Sequence, residues 1–196
     1  VVVARAQEDK AVLRRRPERR KGRRFCALAY ACTGAEPTIG RADGHEWDGG
    51  AATARNGITC NANIPTEEVF TTPHARRVDG HVVSSKPLSY QGSLIDGIAV
   101  LFEGGRIVEA NATRGAEVLN KVLDTDEGAR RLGEVALGPH SSTITHSGPL
   151  FFNTLFDENA ACQHALSQGQ SKCFAHVQTR TQDPLGPTGR KQAPRD

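Results

Sequence analysis

Ile98-Ala99-Val100-Leu101-Phe102-Glu103-Gly104-Gly105-Arg106-Ile107-Val108-Glu109-Ala110 is the stretch that decides the fold. Apolar residues alternate on both sides of a glycine pair. Two adjacent glycines tolerate the positive φ angles of a tight two-residue turn, so the stretch predicts a β-hairpin. Upstream, Arg77 to Lys86 alternates through Val78, His81 and Val83 and predicts a strand with one irregularity near Gly80. Downstream, Ala116 to Leu123 sets Val118, Leu119, Val122 and Leu123 on one helical face. Asp124 followed three residues later by Glu127 resembles a capping box opening a short helix over Glu127 to Leu132. Val135 to Leu137 and Leu150 to Phe156 are expected as strands, and about Asn159 to Leu166 as a helix. Strands in a run with helices inserted make the fold class α+β, β-rich.

The chain has 196 residues, 37% hydrophobic and 24% charged, enough for one domain with a real core or for part of a larger protein. Its apolar runs are too short for a membrane-spanning helix, so no membrane partner is expected. It holds no Met and opens on Val1-Val2-Val3, which reads as a fragment with no visible signal peptide. Five cysteines (26, 32, 60, 162 and 173) form no zinc-ribbon spacing; the odd count suits a reducing compartment, hence the cytoplasm. The default for Cys26, Cys32, Cys60 and Cys173 is buried packing, and Trp47 reads as core.

Charge divides the chain into three zones. Residues 1–24 carry ten Lys/Arg against three Asp/Glu, and residues 178–196 carry four against two, which leaves −6 for 25–177 within the total of +3. Arg14 to Lys21 could meet phosphates, but no aromatic is interleaved with the charges. The run is therefore expected to be a solvated, disordered arm, with nucleic acid not expected as a partner. Asp183 to Gly189 reads likewise as loop or disorder.

The middle zone holds the chemistry. In Asn61-Ala62-Asn63-Ile64-Pro65-Thr66-Glu67-Glu68-Val69-Phe70-Thr71, two adjacent carboxylates precede an apolar pair. Such acids are costly to bury unless a cation neutralises them or their pKa shifts; the alternative is a surface helix start. Glu134 lies inside the apolar pattern Leu132-Gly133-Glu134-Val135-Ala136-Leu137, where an outward-facing strand residue is the commoner case. Asp157-Glu158-Asn159 with Cys162 and His164 adds acids, a thiol and an imidazole near the expected helix. Glu and His are ligands of hydrolytic zinc-type sites, yet no His-Glu-x-x-His or Cys-x-x-Cys is present.

Four stretches in this order, "NIPTEEVFTTPH", "VDGHVVSSKPLSYQGSLIDGI", "DTDEGARRLGEVALGPHSS" and "LFFNTLFDENAAC", resemble the thermophilic-type metallo-aminopeptidases, the group of aminopeptidases T and S. The resemblance runs from about Thr38 to Leu166 and implies a partial catalytic domain over 38–166, between an unmatched arm at 1–37 and an unmatched tail at 167–196. It implies a co-catalytic pair of divalent ions, zinc or cobalt in type, a peptide substrate and a homodimer. By the same resemblance Glu68 and Glu134 are metal ligands; Glu67, the neighbour of Glu68, is the candidate catalytic residue, placed to orient water or a ligand.

A third ligand in that family is a His directly after the Cys of the Asp-Glu-Asn motif. Gln163 stands at that place and His164 follows it, so the role passes to His164 only if the chain re-registers; on a helix one residue is a rotation of about 100°. Later motifs depart: Gln170 stands near the family's Tyr, and His176-Val177-Gln178 is the nearest echo of its His-x-Asp. The family's amino-terminal α/β domain has no counterpart in 1–37, and both flanks read as the product of a shifted frame. The function expected is an aminopeptidase, weak or inactive as this chain. The alternative is a non-catalytic fragment that keeps a β-rich dimer surface over Val78 to Ala112.

Overall fold

Gly104 and Gly105 turn the central hairpin with φ of 53° and 81°, the pair of positive angles that a tight hairpin turn requires. A Cβ on Gly105 would collide with the Ala75 carbonyl oxygen, so the position also needs a residue without a side chain. The Gly104 amide donates to the Asp79 carboxylate at 2.7 Å, which ties the turn to the neighbouring strand.

The computed structural model describes residues 27–30, 36–50, 52–54, 56–60, 68–138, 143–148, 150–158, 162–166 and 173. Arg14 to Arg24, Cys26, Cys32, Glu67, His140 and the tail beyond Cys173 lie outside the described residues. In chain order the elements are β1 (Ala27–Ala29), β2 (Thr38–Arg41), β3 (Ala52–Thr53), β4 (Thr59–Cys60), β5 (Val69–Thr71), β6 (Pro73–Val83), β7 (Leu88–Tyr90), β8 (Ser93–Ile95), β9 (Ala99–Glu103) and β10 (Arg106–Asn111). There follow α1 (Ala116–Leu123), β11 (Leu132–Leu137), α2 (Thr143–Ser147), α3 (Thr154–Asp157) and β12 (Gln163–Leu166).

The fold is β-rich, and its described sheets are antiparallel. The largest has the order β1-β2-β6-β9-β10; a second, of three strands, has the order β12-β11-β5. Ile39, Val78, Val100, Phe102 and Ile107 of the large sheet pack with Ile95, with Leu119 and Leu123 of α1, and with Leu132 and Val135 of β11. One core thus joins both sheets, and Trp47 is buried as expected.

The strand expected from Arg77 to Lys86 overlaps the C-terminal part of β6, which starts upstream at Pro73 and ends at Val83. The hairpin and α1 also lie where the sequence placed them.

Three expected elements differ. Residues 127–130 form turns rather than a helix and Leu132 already opens β11: Asp124 ends α1 and pairs with Arg130 at 2.8 Å, while the Asp126 carboxylate accepts from the Gly128 amide at 2.6 Å. That local bond satisfies a backbone donor which a helix would otherwise need.

Leu150 to Phe156 is not a strand, because the Asp157 carboxylate accepts from the amides of Phe151 (2.8 Å) and Asn153 (3.0 Å) and closes the chain into α3. The described end of the expected Asn159–Leu166 helix is strand β12, paired to β11 along Gln163–Leu166. Backbone pairing at long sequence separation overrode a local pattern too short to distinguish the two periods. Cys60 is exposed rather than packed, while Cys173 is buried.

Candidate functional site

The small sheet sorts its side chains by parity. Val135 pairs with both Thr71 and His164, while Ala136 pairs with both Phe70 and Gln163. Successive residues on a strand face opposite ways. His164 therefore shares a face with Val135 and Thr71, both fully buried, whereas Gln163 shares the other face with Ala136 and Phe70 and, two residues along each strand, with Glu134 and Glu68. Glu134 stands opposite Ala165 in the same regular register, so its carboxylate lies on that second face; the bulge comes only before it, between Leu132 and Glu134.

β5 is fixed from both sides, by β11 and by a bridge in which Asp48 and Phe70 exchange amide–carbonyl bonds of 2.9 Å. The Thr71 hydroxyl adds a bond of 2.8 Å to the Glu46 carbonyl. Glu68, at the entrance to β5, is thereby held 8% exposed. The Gln163 amide nitrogen donates to both of its oxygens, at 3.3 and 3.1 Å.

Burial, and then the nearby charges of Glu158 and Glu134, push the Glu68 pKa up to about 8, with the Gln163 bond opposing them. Glu68 is thus protonated at neutral pH. Half-buried Glu158 is shifted upward too, by burial and then by Glu134.

Of the residues expected from sequence, the structure brings Glu68 and Glu134 together on one face and leaves His164 on the other. The His164 ring meets Tyr30 edge-on, with centroids 5.1 Å apart at 76°, and its buried Nε2 has no hydrogen-bond partner among the described residues. Burial lowers its pKa to about 4, so it is neutral. A one-residue step on a strand is a reversal of face, larger than the rotation a helix would impose. Glu158 is the site residue that sequence reasoning passed over, although the Asp-Glu-Asn stretch already contained it. His45 and His74 are structural: the His45 ring bonds the Ala42 carbonyl at 3.0 Å, and His74 Nδ1 accepts from the Arg76 amide at 3.1 Å.

A metalloprotease family model, described as thermophilic metalloprotease (M29), matches residues 2–191, and this chain belongs to that family. The match extends past the span from Thr38 to Leu166 in both directions. The chain is 53% identical over 150 residues to aminopeptidase T of Thermus aquaticus, covering 76% of this chain and 37% of that protein. It is 51% identical over 146 residues to aminopeptidase 2 of Geobacillus stearothermophilus, covering 74% and 35%. The solved structure of wild-type AmpT from Thermus thermophilus superposes with a TM-score of 0.82 at 48% identity, over 85% of this chain and 42% of that one. The chain therefore spans a little over a third of the length of these curated relatives.

Zinc-type sites take nitrogen or sulfur donors along with carboxylates. Here the described face offers Glu68, Glu134, Glu158 and a neutral amide, with the nearby imidazole turned away. Among the described residues no three His, Cys, Asp or Glu side chains converge on a point that could hold a metal ion. The described residues by themselves do not fit a complete two-metal centre.

Proposed function

We propose that this chain is the catalytic-domain portion of a metal-dependent aminopeptidase, an enzyme that hydrolyses the N-terminal residue from peptides at a dinuclear zinc- or cobalt-type centre. We propose further that as it stands it turns over little or nothing. The observation that carries the reading is the pair Glu68 and Glu134 on one face of the β5–β11–β12 sheet, with Glu158 near enough to act on the Glu68 carboxyl, supported by the activity in the names of the relatives. Glu68 and Glu134 are the carboxylates assigned to the metal centre and Glu67 the residue that orients water. His164, expected as a ligand, is read here as lying on the opposite face, against the Tyr30 ring. Free thiols on Cys60, Cys162 and Cys173 agree with a cytoplasmic setting, and among the described residues no helix is long and apolar enough to cross a membrane.

The test is a chimaera in which residues 38–166 replace the matching segment of Thermus aquaticus aminopeptidase T. Carrying Gln163→His, it hydrolyses an aminoacyl anilide, and adding Glu134→Gln abolishes that activity. With Gln163 kept, activity is lower by roughly 100-fold or more. A folded Gln163→His chimaera that remains inactive removes the reading.

A second reading, a non-catalytic piece that assembles with a second copy, has one observation in its favour: Phe151, Phe152 and Phe156 are 42%, 64% and 36% exposed. A dimer in sedimentation that persists in chelator and is lost in Phe152→Ser would favour it.

A further inference from the structure

We infer that the carboxamide of Gln163 occupies the place against Glu68 that a cation would need, so that this chain holds the pocket closed by hydrogen bonds and leaves it free of metal. Both Glu68 oxygens are engaged by one amide nitrogen, at 3.3 and 3.1 Å. A cation approaching the carboxylate must first displace that nitrogen. The amide brings no negative charge, and as a neutral oxygen donor it suits zinc or cobalt poorly.

Among the described residues of β11 and β12, the register leaves no replacement. Ala136 and Ala165 are the other β11 and β12 residues on this face beside Glu134, and the imidazole of His164 faces the core with Val135. Position 163 therefore decides whether the pocket takes a cation, and an imidazole there reopens it.

The experiment is equilibrium dialysis of the full chain against zinc, read by mass spectrometry, for wild type, Gln163→His and Gln163→His/Glu68→Gln. Wild type is expected to retain far less than one zinc per chain. Gln163→His gains affinity by roughly 10- to 100-fold, and the double variant loses that gain. Near-stoichiometric zinc on wild type that disappears in Glu68→Gln overturns the inference, as does a folded Gln163→His that gains none.

Should Gln163→His fail to fold, the melting midpoint of wild type with and without excess zinc decides. No shift supports the closed pocket; a rise of several degrees that is absent in Glu68→Gln overturns it. The inference rests on the functional reading for the family role of this pocket. The two fail separately: the inference on a zinc-binding wild type, the reading on an inactive but folded Gln163→His chimaera.

Discussion

The two faces of the β5–β11–β12 sheet share a backbone and differ in everything else. One face presents Val135, Thr71 and His164 to the core, all of them neutral. The other presents Glu134 and Gln163 to Glu68, with Glu158 nearby. The lesson is that a shift of one residue between a glutamine and a histidine transfers an imidazole from a carboxylate pocket to a hydrophobic core. The composition of a motif is therefore no guide to its chemistry unless the register is known.

A charge on the core face should break the comparison most severely. Val135 is fully buried, and Val135→Asp is expected to cost about 5 kcal/mol or more and leave the chain unfolded in a urea titration. Ala165→Asp, at an exposed position of β12 on the other face, should shift stability by about 1 kcal/mol or less in the same titration.

The faces also oppose each other in pH dependence. Glu68 has a folded pKa of about 8 against 4.5 unfolded. The folded state thus binds the extra proton, and stability is lost as pH rises through that window. Relative to Glu68→Gln, wild type with chelator present is expected to lose about 4 kcal/mol between pH 4.5 and 8, read as denaturation midpoints.

His164 runs the other way, with a folded pKa of about 4 against 6.5. There the unfolded state takes the proton, so stability falls with acidification, by about 3 kcal/mol from pH 6.5 to 4. A His164→Phe variant should lack that acid limb; if it keeps the limb, the imidazole is not the group responsible.

The smallest effect is expected outside both faces. Asp124→Ala removes a pair with Arg130 whose carboxylate is 64% exposed, and should change stability by about 0.5 kcal/mol or less.

Legibility followed the range of the interactions. The hairpin around Gly104-Gly105 and the helix from Ala116 to Leu123 depend on neighbours within a few residues and were readable from periodicity, and the strand through Val78, although it pairs with the distant β2 and β9, was readable from its alternation. β12 depends on pairing with β11, some thirty residues away by register (Leu132 with Leu166), and its sequence was equally compatible with a helix. α3 depends on Asp157 reaching back to amides at 151 and 153, which alternation of apolar residues cannot reveal.

At the site, Glu68 and Glu134 stood out as acids in apolar settings. The part played by Gln163 was hidden, because a glutamine carries no charge or periodic signal and acquires its role only from the carboxylate that strand pairing places beneath it.

The most direct test is the site itself in crystals of the full chain grown with zinc. The account predicts no anomalous peak at the Glu68 carboxylate and a Gln163 nitrogen within hydrogen-bonding distance of it. A zinc peak about 2.0–2.2 Å from a Glu68 oxygen, with the Gln163 side chain swung aside, would contradict it.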